Sequence, residues 1–235
     1  MLIIAHRGAS GYAPENTLAA MDLAMEQGCD GIEIDVQLTK DGVVVVHHDW
    51  SVDRTTNGSG EIKDLTWKEI QKLDAGFWFS EEFTGEKVPT LDDVLKHLPK
   101  TLLLNVEVKS RSFDDRGLEK KVVELLEKHH RLENTVVSSF NHLCLQRIQL
   151  MNPQVKIGIL YEAHLLEPCN YFKANDLNLY SFHPCHYYLT PDLVKKVQDN
   201  GMKIYSWTIN DGERGKNLKA LGIDGIITNY PDMLR

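Results

Sequence analysis

LIIAHRGASGYAPENTLAAMDLAMEQGCDGIEIDVQL, residues 2–38, compresses a strand, a helix and a second strand into one stretch. The apolar run Leu2, Ile3, Ile4 and Ala5 reads as a short buried strand. Over residues 17–27, Leu18, Met21 and Met25 recur at helical spacing, and Gly28 follows as a C-terminal cap. GIEIDVQL, from Gly31, reads as the next strand. Between them, Asn16 or Thr17 supplies the helix N-cap, and Gly8 is the residue that lets backbone come close to a ligand.

The same alternation runs to the end of the chain. VVVVHH from Val43 reads as a strand, reached through a turn at Lys40, Asp41 and Gly42. LLLNVEV from Leu102 is a strand, followed by a charged helix over residues 115–130. TVVSS from Thr135, a helix over 142–151, KIGIL from Lys156 and LNLYSF from Leu177 come next. A helix from Pro191, KIYSW from Lys203, a helix to Leu221 and DGIIT from Asp224 complete the series. Strands able to lie parallel fall near residues 3, 33, 104, 136, 158, 180, 205 and 226. Eight such strands alternating with helices predict an α/β fold, the TIM (β/α)8 barrel, and the 235 residues suit one such domain. Residues 49–88 break the rhythm with a Gly/Ser/Thr-rich stretch, a short helix over 67–73 and the run Phe77, Trp78, Phe79. They are expected to form an insertion over one barrel mouth, within a single domain spanning 1–235.

The balance of 34 acidic and 26 basic residues gives a net charge of -8, which argues against nucleic acid or an anionic membrane as partner. A small anion can still be held where a few basic groups converge. Four cysteines without CxxC pairing fit a reducing compartment. The apolar run after Met1 is too short for a secretory segment, and no later run is long enough to span a membrane. The expectation is a cytoplasmic protein acting on a small molecule, with no stable membrane insertion.

Residues two apart in a strand share a face. Glu33 and Asp35 therefore point one way, and Ile32, Ile34 and Val36 the other. Glu107 and Lys109 repeat this pattern against Val106 and Val108. Both polar pairs lie toward the C-terminal ends of their strands, where barrel active sites are built. Two unscreened carboxylates ~5 Å apart repel by roughly 3 kcal/mol at an effective dielectric of 20, so something must compensate them. For an isolated ExD, salt bridging by Arg7 and Lys109 or simple solvation is the plainer reading. Three carboxylates with no cysteine nearby instead suit one hard divalent cation, Mg²⁺ or Ca²⁺.

His47 and His48 end the valine run, and in a regular strand they face opposite sides, with periodicity unable to say which faces inward. Taken alone, such a pair is one structural and one solvent-facing histidine. With His6 also emerging at a strand end, however, histidines on either side of an acidic site make an acid/base pair, because their unperturbed pKa of about 6.5 lets one give and one take a proton near neutrality. Arg7 offers a planar fork to a phosphate and Lys109 a point charge. A metal, two cations and two histidines around one point suit phosphoryl transfer, in which charge spreads over phosphate oxygens.

HRGASGYAPENT, EIDVQLTKDGVVVVHHD, DRTTNGSG, VPTLDDVL, NVEVK, YSWTIND and GIDGIITNYP, in this order and spacing, resemble the glycerophosphodiester phosphodiesterases of bacterial, cytoplasmic type. The resemblance covers essentially the whole chain. It implies the same barrel with an inserted segment near the second strand, and hydrolysis of glycerophosphodiesters to sn-glycerol 3-phosphate and an alcohol. It implies His6 and His48 as the acid/base pair, His48 rather than His47 because it precedes Asp49 as in the family's HD motif. It implies Glu33, Asp35 and Glu107 as metal ligands, and Arg7 and Lys109 as phosphate contacts. Trp207 is similar to a family tryptophan lining the substrate pocket, while a barrel-mouth core aromatic accounts for it nearly as well. In the implied chemistry a metal bridges a phosphate oxygen and a glycerol hydroxyl, with attack by that hydroxyl to give a cyclic phosphate as one route.

Phe140 and Asn141, after the strand at Thr135, are placed to reach such a site. The HPCH run, with His183 and His186, lacks the remaining ligands of a zinc site and reads as a loop at the substrate mouth. Two other readings stand beside the leading one. The first is a lysophospholipase D, with residues 77–79 serving acyl chains; the second is a non-catalytic sugar-phosphate-binding barrel.

Overall fold

The computed structural model describes residues 1–111 and 116–234. Nine strands appear in it: β1 Leu2–His6, β2 Gly31–Leu38, β3 Val44–Val46, β4 Leu103–Val108, β5 Thr135–Ser139, β6 Lys156–Tyr161, β7 Leu179–Pro184, β8 Lys203–Ser206 and β9 Gly225–Thr228. All but β3 pair in parallel, in the order β1, β2, β4, β5, β6, β7, β8, β9, and β9 pairs back to β1. This closed eight-stranded parallel barrel is the architecture expected from the strand–helix alternation. The helices are α1 Leu18–Glu26, α2 Trp67–Ile70, α3 Leu91–His97, α4 Leu118–Lys128, α5 His142–Met151, α6 Pro168–Ala174, α7 Pro191–Asp199 and α8 Gly212–Ala220. The helix expected over 115–130 is observed as α4; the proposed start at Asp115 lies outside the described residues, as does Arg235 at the end of the expected domain. No helix among the described residues is long and apolar enough to cross a membrane.

Alternation along the strands divides the core in two. Ile32, Ile34 and Val36 of β2 and Leu104, Val106 and Val108 of β4 join the large cluster under the helices. Ile4, Val136, Tyr205 and Ile227 pack inside the barrel and form its apolar floor. The residues that follow Ile4 and Tyr205 by two positions, His6 and Trp207, stand above that floor at the C-terminal mouth. The polar faces of β2 and β4 rise there too, so one strand carries both a core stripe and a site stripe.

α1 is capped by Thr17, whose hydroxyl accepts from the Ala20 amide, and ends with Gly28 in the left-handed region. Its fully buried residues are Ala20, Met21 and Ala24, while Leu18 and Met25 are only partly covered. Small residues face inward because the chain after β1 lies against this helix. A Cβ on Gly8, which has φ +80°, would come 2.6 Å from the Ala20 backbone. Gly8 is therefore required by its backbone conformation and by helix packing, apart from any approach of a ligand.

β3 is shorter than the VVVVHH run predicted, and it pairs antiparallel to β2 with Val36 opposite Val46. The ladder stops because the chain turns at residues 47–49, where Gln37 Nε2 donates to the carbonyls of His47, His48 and Asp49. Beyond it, Val52, Ile62, Ile70, Ala75 and Val88 close over Val45 as a satellite core.

Candidate active site

Cross-strand register brings the sequence-predicted residues together. His6 is paired with Glu33, Glu33 with Asn105, and Asp35 with Glu107. Within a parallel sheet these are adjacent side chains on one face. His6, Arg7, Glu33, His48, Glu107, Lys109 and Trp207 line one cavity of about 100 Å³ at the C-terminal mouth. Asp35 lies directly behind its wall, 1 % exposed.

Oxygens of Glu33, Asp35 and Glu107 lie within 4.8 Å of one another. Cations surround Asp35: Lys109 Nζ is 3.0 Å from its Oδ1 and Arg7 Nε 3.2 Å from its Oδ2. Asn16 Nδ2 donates to Oδ2 at 3.0 Å, which uses the Asn side chain for the site rather than for the helix cap. Lys109 also bonds Glu107 Oε1 at 2.6 Å. Burial would raise the Asp35 carboxyl, but Lys109 and then Arg7 hold it well below the usual range. Glu33 and Glu107 go the other way. Burial, reinforced by the neighbouring Asp35 charge, pushes Glu33 well up and Glu107 to about 7.

Three hard oxygen donors with no sulfur match the preference of Mg²⁺ or Ca²⁺. Glu33 Oε1 is buried without a hydrogen-bond partner among the described residues, a costly state that a cation would relieve. The residues present therefore fit a divalent ion.

The two histidines flank this cluster. His6 Nδ1 donates to Asn229 Oδ1 at 2.7 Å, and its Nε2 is 4.0 Å from Glu33 Oε2. Burial, then the neighbouring Arg7, lowers its pKa to about 4. His48 Nδ1 donates to Asp49 Oδ1 at 2.7 Å, and burial lowers its pKa as well. Asp49 is held by Arg54 at 2.6 Å, and Arg54 in turn grips Glu15 at 2.7 Å, which binds Arg7 at 3.0 Å. In both rings Nδ1 is committed to a fixed acceptor, and Nε2 has no hydrogen bond among the described residues. His47 is buried; its Nδ1 donates to the Asp49 carbonyl at 3.0 Å and its Nε2 accepts from the Thr55 hydroxyl at 2.9 Å.

Arg7 and Asn16 both have φ near +60°, an uncommon conformation for residues other than glycine. The strain buys the side-chain directions: the Arg7 amide reaches Glu33 Oε2 at 3.1 Å while its guanidinium reaches Asp35.

Trp207 stands at the barrel mouth. It borders the cavity, packs against the interior cluster and meets Phe140 edge-on with centroids 5.5 Å apart. Phe140 lines the cavity, whereas the Asn141 side chain caps α5. His183 departs from its expectation as a mouth loop: β7 continues through Pro184, and the ring is buried inside the barrel. His186 lies in the turn beyond, where Arg214 Nε donates to its Nδ1 at 3.2 Å. Gln37, Glu15, Arg54 and Asn229 carry no expectation from the sequence, and Asn16 only that of a helix cap. Four of them sit inside PENT, DRTT and ITNYP, and that proximity to the proposed site residues was the available signal.

Residues 6–233 match the model of the Glycerophosphoryl diester phosphodiesterase family. A glycerophosphodiester phosphodiesterase of Caldanaerobacter subterraneus is 46% identical over 99% of this chain and 96% of its own. Among solved structures, an Oleispira antarctica phosphodiesterase in complex with the product sn-glycerol-3-phosphate superposes with a TM-score of 0.90 at 33% identity, over 99% of this chain and 94% of that one. A glycerophosphodiester phosphodiesterase from Agrobacterium tumefaciens gives 0.84 at 30%, over 99% and 98%. A match from His6 to the final turn, with these relatives covered almost end to end, means that this chain belongs to the glycerophosphoryl diester phosphodiesterase family.

Proposed function

We propose that this chain hydrolyses glycerophosphodiesters to sn-glycerol 3-phosphate and an alcohol, with one divalent cation, Mg²⁺ or Ca²⁺, held by Glu33, Asp35 and Glu107. The observation that carries the reading is the convergence on one small cavity of three carboxylates, two cations and two histidines whose Nε2 atoms have no hydrogen bond among the described residues. When bound, the cation supplies Lewis-acid polarisation of a phosphate oxygen. Arg7 and Lys109 bind the diester anion. With a cation on the carboxylates, Lys109, otherwise shared between Asp35 and Glu107, would be left to pair with the phosphate. One of His6 and His48 takes the proton of the attacking glycerol hydroxyl at Nε2 and the other delivers a proton to the departing alkoxide; water then opens the cyclic phosphate with the two histidine roles exchanged, giving sn-glycerol 3-phosphate. Asn229 and Asp49 hold the two rings in register for this exchange. The negative diester offsets the burial that keeps the rings neutral, so that one of them can carry the proton to be donated. Trp207 closes one wall of the substrate pocket.

We further take the chain as one barrel domain with residues 49–88 as its insertion, acting in the cytoplasm without nucleic-acid partners. Four buried free cysteines support the reducing compartment. An open groove of about 430 Å³ lined by Phe140, Leu143 and Tyr171 adjoins the cavity at Phe140 and favours a second reading, acceptance of lysophospholipids. The two are separated by assaying glycerol 3-phosphate release from glycerophosphocholine beside choline release from lysophosphatidylcholine. Preference for glycerophosphocholine is expected; turnover of the lysophospholipid alone would replace the leading reading with a lysophospholipase D.

The raised carboxylates make cation binding proton-linked. In the folded, ion-free state Glu107 titrates near 7, above its unfolded value, so its contribution to stability falls as pH rises through that window. A cation needs the ionised form and must displace those protons, so it binds more tightly as pH rises. The increase in melting temperature on adding Mg²⁺ or Ca²⁺ should be larger at pH 8 than at pH 5.5 in differential scanning calorimetry. An ion-induced increase independent of pH would contradict this assignment.

A further inference from the structure

The far side of the cavity from the charged residues has a different chemistry. His183 on β7 and Asn105 on β4 line it, and both are buried. His183 Nε2 is engaged with Ser181 Oγ at 2.7 Å, and its Nδ1 has no partner among the described residues. Asn105 Nδ2 donates to Ser138 Oγ at 2.8 Å, and its Oδ1 likewise has no partner there. A buried polar atom left unpaired is costly, and two of them on residues that line one cavity point to a ligand with matching groups.

The His183 ring is built in rather than incidental. β6 carries Gly158 where a Cβ would come 2.5 Å from His183 Nε2, so the glycine makes room for the imidazole. The β6–β7 register shifts at that glycine. Tyr205 meets the ring at 5.4 Å between centroids, and Trp207 Nε1 donates to the His183 carbonyl at 2.8 Å. Burial keeps the imidazole neutral, lowering its pKa to about 3. An amide oxygen and a neutral imidazole nitrogen are poor partners for a phosphate but good ones for hydroxyl groups, which both donate and accept. The cavity of about 100 Å³ is several times the ~10–15 Å³ that one water needs.

We propose that His183 and Asn105 form a hydroxyl-recognition subsite that reads the glycerol half of the substrate, while Arg7 and Lys109 take the phosphate. This rests on the glycerophosphodiester reading above and deepens it: selectivity for a polyol phosphate over an alkyl phosphate comes from these two neutral groups.

Calorimetric titration of the protein with sn-glycerol 3-phosphate and with n-propyl phosphate, in Mg²⁺ and in Ca²⁺, tests the subsite. The two ligands share a carbon chain and a phosphate and differ in the hydroxyls. Wild type should prefer glycerol 3-phosphate, and His183→Phe, His183→Asn and Asn105→Leu should each cut that preference about tenfold, with n-propyl phosphate affinity within about threefold of wild type. Asn105→Leu, on a different strand, keeps the test alive should the His183 variants fail to fold. Equal losses for both ligands in all variants would make the residues structural and overturn the proposal. Equal affinity of wild type for the two ligands would overturn it as well. Failure of wild type to bind glycerol 3-phosphate with either ion would instead sink the glycerophosphodiester reading itself.

Discussion

His48→Ala is expected to lower kcat on glycerophosphocholine by at least about 10²-fold, the scale of a positioned proton-transfer group. The side chain is half-buried, and its one hydrogen bond among the described residues runs to Asp49, which Arg54 also holds, so its loss leaves the local frame in place. The folded protein should melt within a few degrees of wild type, and added imidazole should restore part of the rate. His47→Ala should do the reverse. That ring is buried and bonded on both edges, so its removal leaves the Thr55 hydroxyl and the Asp49 carbonyl without it and costs stability rather than chemistry. Near-wild-type turnover by His48→Ala would move the proton-transfer role to His47.

Asp35→Asn is the second large effect. The substitution keeps shape and the approach of Asn16, yet removes the charge on which Lys109 and Arg7 both converge. Removing one partner from a buried ionic cluster leaves uncompensated like charge, a penalty of ~3–5 kcal/mol in comparable cases. One metal ligand is lost as well. Divalent-ion affinity by calorimetry should fall at least about 10²-fold, extending the 10–100-fold range typical of outer-shell losses, and kcat/KM should fall with it. Raising the ion concentration should recover activity only in part, because Lys109 no longer has its anchor. Unchanged ion affinity in this variant would remove Asp35 from the ligand set.

What the sequence disclosed follows from period and what it hid follows from register. Period two was enough to put Glu33 with Asp35 and Glu107 with Lys109, and the 3.6 period was enough to place α1 between β1 and β2. That His6 stands beside Glu33, and Asp35 beside Glu107, depends on strand pairing, which no local pattern encodes. α3 and α6, seven residues each, were not read because two turns carry too little periodicity. The valine run promised a longer β3, since nothing local announced that Gln37, ten residues earlier, would pull residues 47–49 into a turn. His183 looked like loop because proline follows it, yet Pro184 ends the strand from within. Asn16 and Asn229 carry no charge, so electrostatic reasoning passed over the two residues that fix Asp35 and His6.

The central claim is that a divalent ion on Glu33, Asp35 and Glu107 enables hydrolysis of a glycerophosphodiester in this cavity. The measurement closest to it is release of sn-glycerol 3-phosphate from glycerophosphocholine before chelation, after exhaustive treatment with EDTA, and after adding back Mg²⁺ or Ca²⁺. Turnover should be present at first, lost on chelation and regained with one of the two ions. Turnover that survives complete chelation would contradict the metal site, and no turnover on any glycerophosphodiester under any of the three conditions would contradict the catalytic reading and leave a binding barrel.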